Sequence, residues 1–353
     1  MENTFDCIVI GGGQAGLASA YYLKKWGLKY LILEATEQAA GSWQKYYDSL
    51  TLFSPARYSS LPGLRFPGDP NHYPTKDEVI SYFNEYTKYN KFNVRTEEKV
   101  TEVSKNGKDF VTATARGNIF YSKAVISATG AFAYPNIPVI EGSERFKGKV
   151  IHSSQYRKVE EYKNQRVVVV GGGNSAIQIA YELAQVSNVS LATRNPISYT
   201  PQRILGKDIH FWLKVTGVDT LPYGRKFSMN TSVMDTGVYK EAILNKRPDS
   251  KPMFTNYTEE GVMWSDGGEE KVDSVIYATG YKPNINHLTT LKDAIHHSGN
   301  PMQHKGISNK IDGLYYVGLS GQRTLSSATI RGVGADAKYI VKHLKKHIDI
   351  SLK

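Results

Sequence analysis

Of 353 residues, only Cys7 is a cysteine. An intrachain disulfide, a CxxC redox pair, a cysteine-ligated cluster and a cysteine-based zinc site are therefore excluded. A lone thiol inside an apolar strand reads as a small buried hydrophobe rather than a reactive group. This poverty in cysteine fits a reducing cytoplasm. Long hydrophobic runs are missing too. The longest charge-free stretches, Cys7–Leu23 and Ala124–Ile140, are broken by glycine or proline, so neither reads as a membrane span. No basic segment, apolar stretch and small-residue cleavage site open the chain, and no signal peptide is expected. Acidic residues are the minority, 33 against 44 lysines and arginines, for a net charge of +11. The cations are scattered apart from a modest run at Lys338, Lys342, Lys345, Lys346 and Lys353. A solvated surface around anionic cofactors is expected, not a nucleic-acid or membrane face.

What is present is a repeated pattern. An apolar run, Phe5–Ile10, breaks at Gly11-Gly-Gly13-Gln-Ala-Gly16. Leu17, Ala20 and Leu23 follow at helical spacing, and a second apolar run, Tyr30–Leu33, closes on Glu34. This is strand, glycine turn, helix and strand, one βαβ unit. Gly11 permits the tight turn, Gly13 the approach of a pyrophosphate, and Gly16 close packing of helix on strand. Gln14 and Ala15 open the helix, whose free N–H groups suit phosphate. Glu34, with Ala35 behind it, can accept from a ribose 2′-hydroxyl and repels a 2′-phosphate.

The pattern returns at Arg166–Val170, Gly171-Gly-Gly173-Asn174-Ser175-Ala176 and Val189–Thr193, but here the second strand ends at Arg194. A guanidinium there suits a 2′-phosphate through bidentate, charge-assisted bonds. An acidic end on one copy and a basic end on the other read as an unphosphorylated dinucleotide beside NADP. A hydride from NADPH needs a local acceptor, and FAD is the dinucleotide that supplies one. Two further runs end alike, at Ala128-Thr129-Gly130 and Ala278-Thr279-Gly280-Tyr281, each followed by a proline (Pro135, Pro283) in a connection between domains.

Phe146-Lys-Gly148-Lys-Val-Ile-His152-Ser-Ser-Gln-Tyr156 matches FxGxxxHxxxY. It resembles the motif of class B flavoprotein monooxygenases, the group of flavin-containing monooxygenases, N-hydroxylases and YUCCA-type enzymes. Tyr277-Ala-Thr-Gly-Tyr281 and Gly41-Ser42-Trp43 are similar to further elements of that group. The nearest look is to short bacterial flavoproteins of metal- or arsenic-resistance operons.

The resemblance implies an α/β protein with two Rossmann-like domains in a glutathione-reductase-like, three-layer architecture. A discontinuous FAD domain, residues 1–155 and 287–353, would hold an inserted NADPH domain at 156–286. The stretch at about 201–250, with Arg203 and Phe211-Trp212, reads as a helical and loop insertion over the substrate. By motif position Ser42, Trp43, Leu50, Thr51, Val100, Ala128, Thr129, Gly130 and Gly318 join the FAD site, while Gln322 and Arg323 approach the flavin's pyrimidine end. Ala278, Thr279, Gly280 and Tyr281 join the NADP site.

The chemistry implied is NADPH reduction of FAD, a C4a-(hydro)peroxyflavin, and transfer of one oxygen atom to a small thioether, amine or ketone. No side-chain nucleophile is needed, and none is assigned. Where the group has asparagine in T-x-N-T, Thr51-Leu-Phe53-Ser54 carries a phenylalanine. An NADPH oxidase or diaphorase-type reductase therefore stays open, as does a flavin-binding accessory protein of a metal or metalloid transporter. The expected partners are a small substrate and O2, with a homodimer left open. His343 and His347 have ligand spacing but no third ligand, so no metal is expected. His152 reads as a structural or hinge residue rather than a proton shuttle.

Overall fold

The computed structural model describes residues 3–132, 134–221 and 232–351. Strand β1 (Thr4–Ile10), helix α1 (Gln14–Lys25) and strand β2 (Tyr30–Leu33) form the first unit. Helix α2 (Lys76–Asn90) and strand β3 (Val94–Arg95) lead to a meander of β4 (Val100–Asn106), β5 (Asp109–Thr114) and β6 (Ile119–Ser127). The chain crosses through β7 (Tyr134–Pro135) to β8 (Lys149–His152), β9 (Arg166–Val170), α3 (Asn174–Leu183) and β10 (Asn188–Thr193).

Short pieces follow: β11 (Tyr199–Pro201), β12 (Arg203–Ile204), β13 (Lys207–Asp208), α4 (Ile209–Thr216), β14 (Val233–Asp235), α5 (Val238–Leu244) and β15 (Asp249–Pro252). Strands β16 (Asn256–Tyr257), β17 (Gly261–Met263) and β18 (Glu269–Lys271) make a small antiparallel sheet. Strands β19 (Ser274–Tyr277) and β20 (Tyr281–Lys282) return the chain to β21 (Gln303–His304), β22 (Ile307–Ser308), β23 (Leu314–Tyr316) and the final helix α6 (Ile330–Ser351).

Two parallel sheets organise these elements. In the first, the order β23-β6-β1-β2-β3 is parallel throughout, with β22 and β21 added antiparallel at one edge. The second, β15-β10-β9-β19-β8, is also parallel. Side-chain alternation in a strand decides which layer each residue meets. Cys7 and Val9 of β1 pack with residues of α1, α2 and α6, whereas Phe5, Ile8 and Ile10 pack with Val103, Phe110 and Phe120 of the meander. The second sheet repeats the scheme. Val167 and Val169 of β9 meet α3, and Val168 and Val170 meet Tyr257, Val262 and Trp264 of the small sheet. A parallel sheet buried on both faces is why these strands read as nearly unbroken apolar runs.

Between the two sheets the chain crosses twice, and the crossings pair with each other. β7 and β20 run antiparallel, with Tyr281 opposite Pro135. Asn136 N–H also donates to Gly280 O at 3.0 Å.

The structure differs from expectation in two places. The stretch Pro201–Lys251, expected as helix and loop, holds α4 and α5 but also five short strands or parts of them, and β15 joins the second sheet as its edge. Strands of two to four residues are too short to show a period. Part of this expectation, 222–231, lies outside the described residues, as does Lys353. The closing helix, which the sequence suggests from about Gly334 to Lys346, spans Ile330–Ser351, with Gly332 inside it packed against Ser326: a Cβ there would lie 2.2 Å from the Ser326 carbonyl oxygen. Among the described residues, no helix is long and apolar enough to cross a membrane.

Candidate dinucleotide sites and the cavity between them

Helices α1 and α3 start without help. Each begins after a glycine, Gly13 or Gly173, with no side-chain cap and no acid in the first turn. Helix α2, by contrast, has a full capping box from Thr75 and Glu78, and α4 is capped by Asp208. An uncapped N-terminus presents free N–H groups and the positive end of the helix dipole, the arrangement a phosphate occupies.

The glycine turns leading to these helices are sterically fixed. Gly11 has φ +104°, and a Cβ on Gly16 would stand 1.9 Å from Gly11 O. Added Cβ atoms on Gly11 and Gly171 would lie 2.7 and 2.5 Å from the carbonyl oxygens of Ala128 and Ala278. The two Ala-Thr-Gly runs thus back the two glycine turns in the same way. In the second copy the third glycine is Ala176, fully buried, and its methyl is accommodated 3.2 Å from where a Gly171 Cβ would sit.

Glu34 is buried at the end of β2. Its Oε2 accepts from Gly12 N–H at 2.5 Å, and its Oε1 accepts from the Thr36 backbone and hydroxyl at 2.9 and 2.8 Å. A carboxylate has about four acceptor positions, so one on Oε2 stays available for a ribose hydroxyl. Arg194, at the matching place after β10, is exposed and makes no ion pair among the described residues. These two environments fit an unphosphorylated and a phosphorylated ribose respectively.

A cavity of about 810 Å³ runs between the two sheets. One end is lined by Gly171, Gly173, Asn174, Ser175, Arg194 and the segment Ala278, Thr279, Gly280 and Tyr281. The other is lined by Gln14, Trp43, Leu50, Thr51 and Phe53, with Tyr46 and Tyr47, which the sequence did not single out. Trp43 Nε1 donates to Gln14 Oε1 at 2.7 Å, and Gln14 Nε2 donates to Ala328 O at 3.1 Å. Tyr47 donates to Gln178 Oε1 at 2.6 Å and Tyr156 to Glu182 Oε1 at 2.6 Å, fixing the wall to α3 and its neighbours. Burial pushes the Tyr46 hydroxyl up to about 12, so it stays protonated.

The remaining candidates fall elsewhere. Gly11, Gly13, Ala15, Gly16, Glu34, Ala128, Thr129, Gly130 and Gly318 surround the first glycine turn outside the cavity lining, with Ala35 and Ser42 exposed near it and Val100 packed on the meander side. Gln322 and Arg323 are not brought to the cavity. Gln322 Nε2 is spent on Tyr316 O at 2.8 Å, and Arg323 pairs with buried Asp336 at 3.1 Å while its guanidinium lies 4.3 Å from the Tyr339 ring centroid. The insertion does not roof the cavity either: none of the described residues between 201 and 250 lines it. It meets the cavity from behind, where Gln202 Nε2 donates to Phe53 O at 2.9 Å.

His152 Nε2 donates to Gly280 O at 3.0 Å and Nδ1 accepts from Ser154 N–H at 3.1 Å. Burial lowers its pKa, and the neutral ring ties β8 to the second crossing. Cys7 is wholly buried, which pushes its thiol far up. No metal-binding group of three His, Cys, Asp or Glu occurs among the described residues, and His343 Nδ1 lies 3.2 Å from the Tyr315 hydroxyl.

A cluster that the sequence did not suggest sits behind Phe53. Asp208 Oδ1 accepts from the His210 backbone at 2.8 Å and from His210 Nδ1 at 2.7 Å. Its Oδ2 accepts from Tyr73 at 2.5 Å and Gln202 at 2.8 Å. Burial would raise this carboxyl, but the hydrogen bonds from His210, Tyr73 and Gln202 outweigh it and hold it at about 2. An aspartate just ahead of Ile-His-Phe-Trp-Leu is a helix-cap signal, and that signal was there to be read.

Comparison with known proteins gives a consistent picture. A family model described as pyridine nucleotide-disulphide oxidoreductase matches residues 8–318. An uncharacterized CzcO-like oxidoreductase of Geobacillus kaustophilus is 33% identical over 98% of this chain and 100% of its own length. The indole-3-pyruvate monooxygenase YUCCA4 of Oryza sativa is 30% identical over 97% of this chain and 87% of its own. A flavin-containing monooxygenase structure from Stenotrophomonas maltophilia superposes with a TM-score of 0.87 at 29% identity, covering 98% of this chain and 99% of that one.

Proposed function

Because this chain belongs to the class B flavoprotein monooxygenases, within the pyridine nucleotide-disulphide oxidoreductase family, and uses FAD and NADPH, we propose that it oxygenates a small soft nucleophile, a thioether or an amine. The balance is substrate, O2, NADPH and a proton giving oxygenated substrate, water and NADP+. One observation carries the reading: a single cavity is lined at one end by the second glycine turn and Arg194, and at the other by the Trp43–Phe53 wall. Donor and acceptor would share that space, with room for a small third molecule.

When bound, FAD accepts the hydride and supplies the oxygen chemistry. The protein's own residues bind and orient. The free N–H groups of α1 and one acceptor position on Glu34 suit the FAD pyrophosphate and ribose, and those of α3 with Ser175 and Arg194 suit NADP. Trp43, Tyr46, Tyr47 and Phe53 form an aromatic wall at one end, with Tyr281 at the other, and such surfaces help keep water from a reactive site.

Phe53 favours a second reading. A carbon-only ring cannot donate a hydrogen bond to an oxygen species or to NADP, so an NADPH oxidase, giving NADP+ and hydrogen peroxide, is the alternative. The deciding experiment measures NADPH consumed, peroxide released and product formed with a panel of thioethers and amines. Product stoichiometric with NADPH supports the monooxygenase. Electrons recovered wholly as peroxide, with every substrate present, would sink it.

A further inference from the structure

The Asp208 cluster has an odd member. His210 is almost completely buried, yet its Nε2 has no hydrogen-bond partner among the described residues. Buried polar atoms left unpaired are uncommon, and each calls for a reason. Here the reason lies in the faces of the ring. Asp208 fixes a proton on Nδ1 and anchors that edge. The Phe53 ring stacks on the imidazole at 6.2 Å and 22°, and the Tyr58 ring stacks at 6.0 Å and 28°. Gln202, whose amide bonds Asp208, uses the same nitrogen to hold the Phe53 carbonyl. One carboxylate therefore grips Phe53 twice through single intermediaries: its backbone through Gln202 and its ring through His210.

We propose that His210, anchored by Asp208, is the positioning residue of Phe53: it sets the pose of the ring on the Trp43–Phe53 wall and so the fit of the cavity around NADP and substrate. The grip is long-range, since Phe53 and Gln202 stand 149 positions apart. Histidine offers both an anchored edge and a flat face at this position. Asparagine keeps an anchoring edge and loses the face, whereas phenylalanine keeps the face and loses the anchor. The orphaned Nε2 is the cost of having both. The inference rests on the proposed function only in naming what the cavity holds.

The test is a double-mutant cycle on the FAD-loaded protein with His210→Asn, Phe53→Ala and the pair. It reads the NADP+ dissociation constant from the flavin absorbance and the peroxide released per NADPH. Residues that act through one contact are non-additive. His210→Asn and Phe53→Ala should each weaken NADP+ binding by about threefold or more, and the pair no more than Phe53→Ala alone. Losses that multiply in the pair, or a His210→Asn protein with unaltered NADP+ binding, overturn the proposal. Should His210→Asn fail to fold, Asp208→Asn enters the same cycle, keeping the shape and losing the charged anchor. If the wild type releases only peroxide, the proposed function fails while the NADP+ titration still decides the role of His210.

Discussion

Glu34 and Arg194 follow equivalent strands with opposite charges, and the proposed function assigns that difference to selection between a ribose and its 2′-phosphate. Arg194 is exposed and unpaired by any acid among the described residues, so its whole electrostatic capacity is available to a ligand. Arg194→Ala should cost NADPH about 1–3 kcal/mol in kcat/KM while leaving NADH nearly unchanged, as expected for a charge-assisted contact. Steady-state rates with both nucleotides check it, and equal losses would remove Arg194 from the 2′-phosphate. His287 carries a different prediction. Burial lowers its pKa to about 4, and its Nε2 lies 3.1 Å from the Ser127 hydroxyl. The folded protein keeps this ring neutral while the unfolded chain protonates below its ordinary 6.5, so stability is full above 6.5 and falls as pH drops toward 4. Burial depresses His152 in the same direction. Unfolding midpoints measured from pH 7.5 to 4.5 should fall, and His287→Gln should flatten the slope. The places of Glu34 and Arg194 after their strands were legible because each follows an apolar run. His287 was not, because its burial depends on contacts far apart in sequence, and neither was the stacking of His210 on Phe53 and Tyr58, although the Asp208 cap beside it was readable.

Elements divide by how their ends are closed. Helices α2 and α4 satisfy their first N–H groups with their own side chains, and α1 and α3 leave theirs open. Thr75→Ala should therefore lower stability by about 1 kcal/mol with FAD and NADP+ affinities unchanged. Chemical denaturation and ligand titration together test this, and a loss of affinity would show that α2 bears on the sites. Glycine turns and β-branched strands made the two βαβ units readable. The helices α4 and α5 of 201–250 fit the reading, but its short strands were missed because they gain their identity only from partners: β11 from β14, and β15 from β10. Helix α6 was shortened in the reading by its glycines, which close packing requires rather than a break in the helix.

At the scale of the whole molecule, two similar three-layer bodies rest on one repeated rule, an apolar parallel sheet with a different partner on each face. The glycine turns and free helix ends present N–H donors suited to anions. Filling them should stabilise the folded chain as a unit. FAD at about 100 times its dissociation constant should add about 2.7 kcal/mol to the unfolding free energy. Scanning calorimetry with and without FAD measures it, and an unchanged midpoint would contradict a preformed site.

The paired crossings β7 and β20 join the two bodies, and they do so in company: Tyr47 bonds Gln178, Gln202 bonds the Phe53 carbonyl and Arg331 pairs with Asp219. Phe132, Asn136, Gly280 and Tyr281, on or beside the paired crossings, also line the cavity. The seam that holds the halves together is therefore also part of the vessel's wall, and a substitution on it reaches both at once.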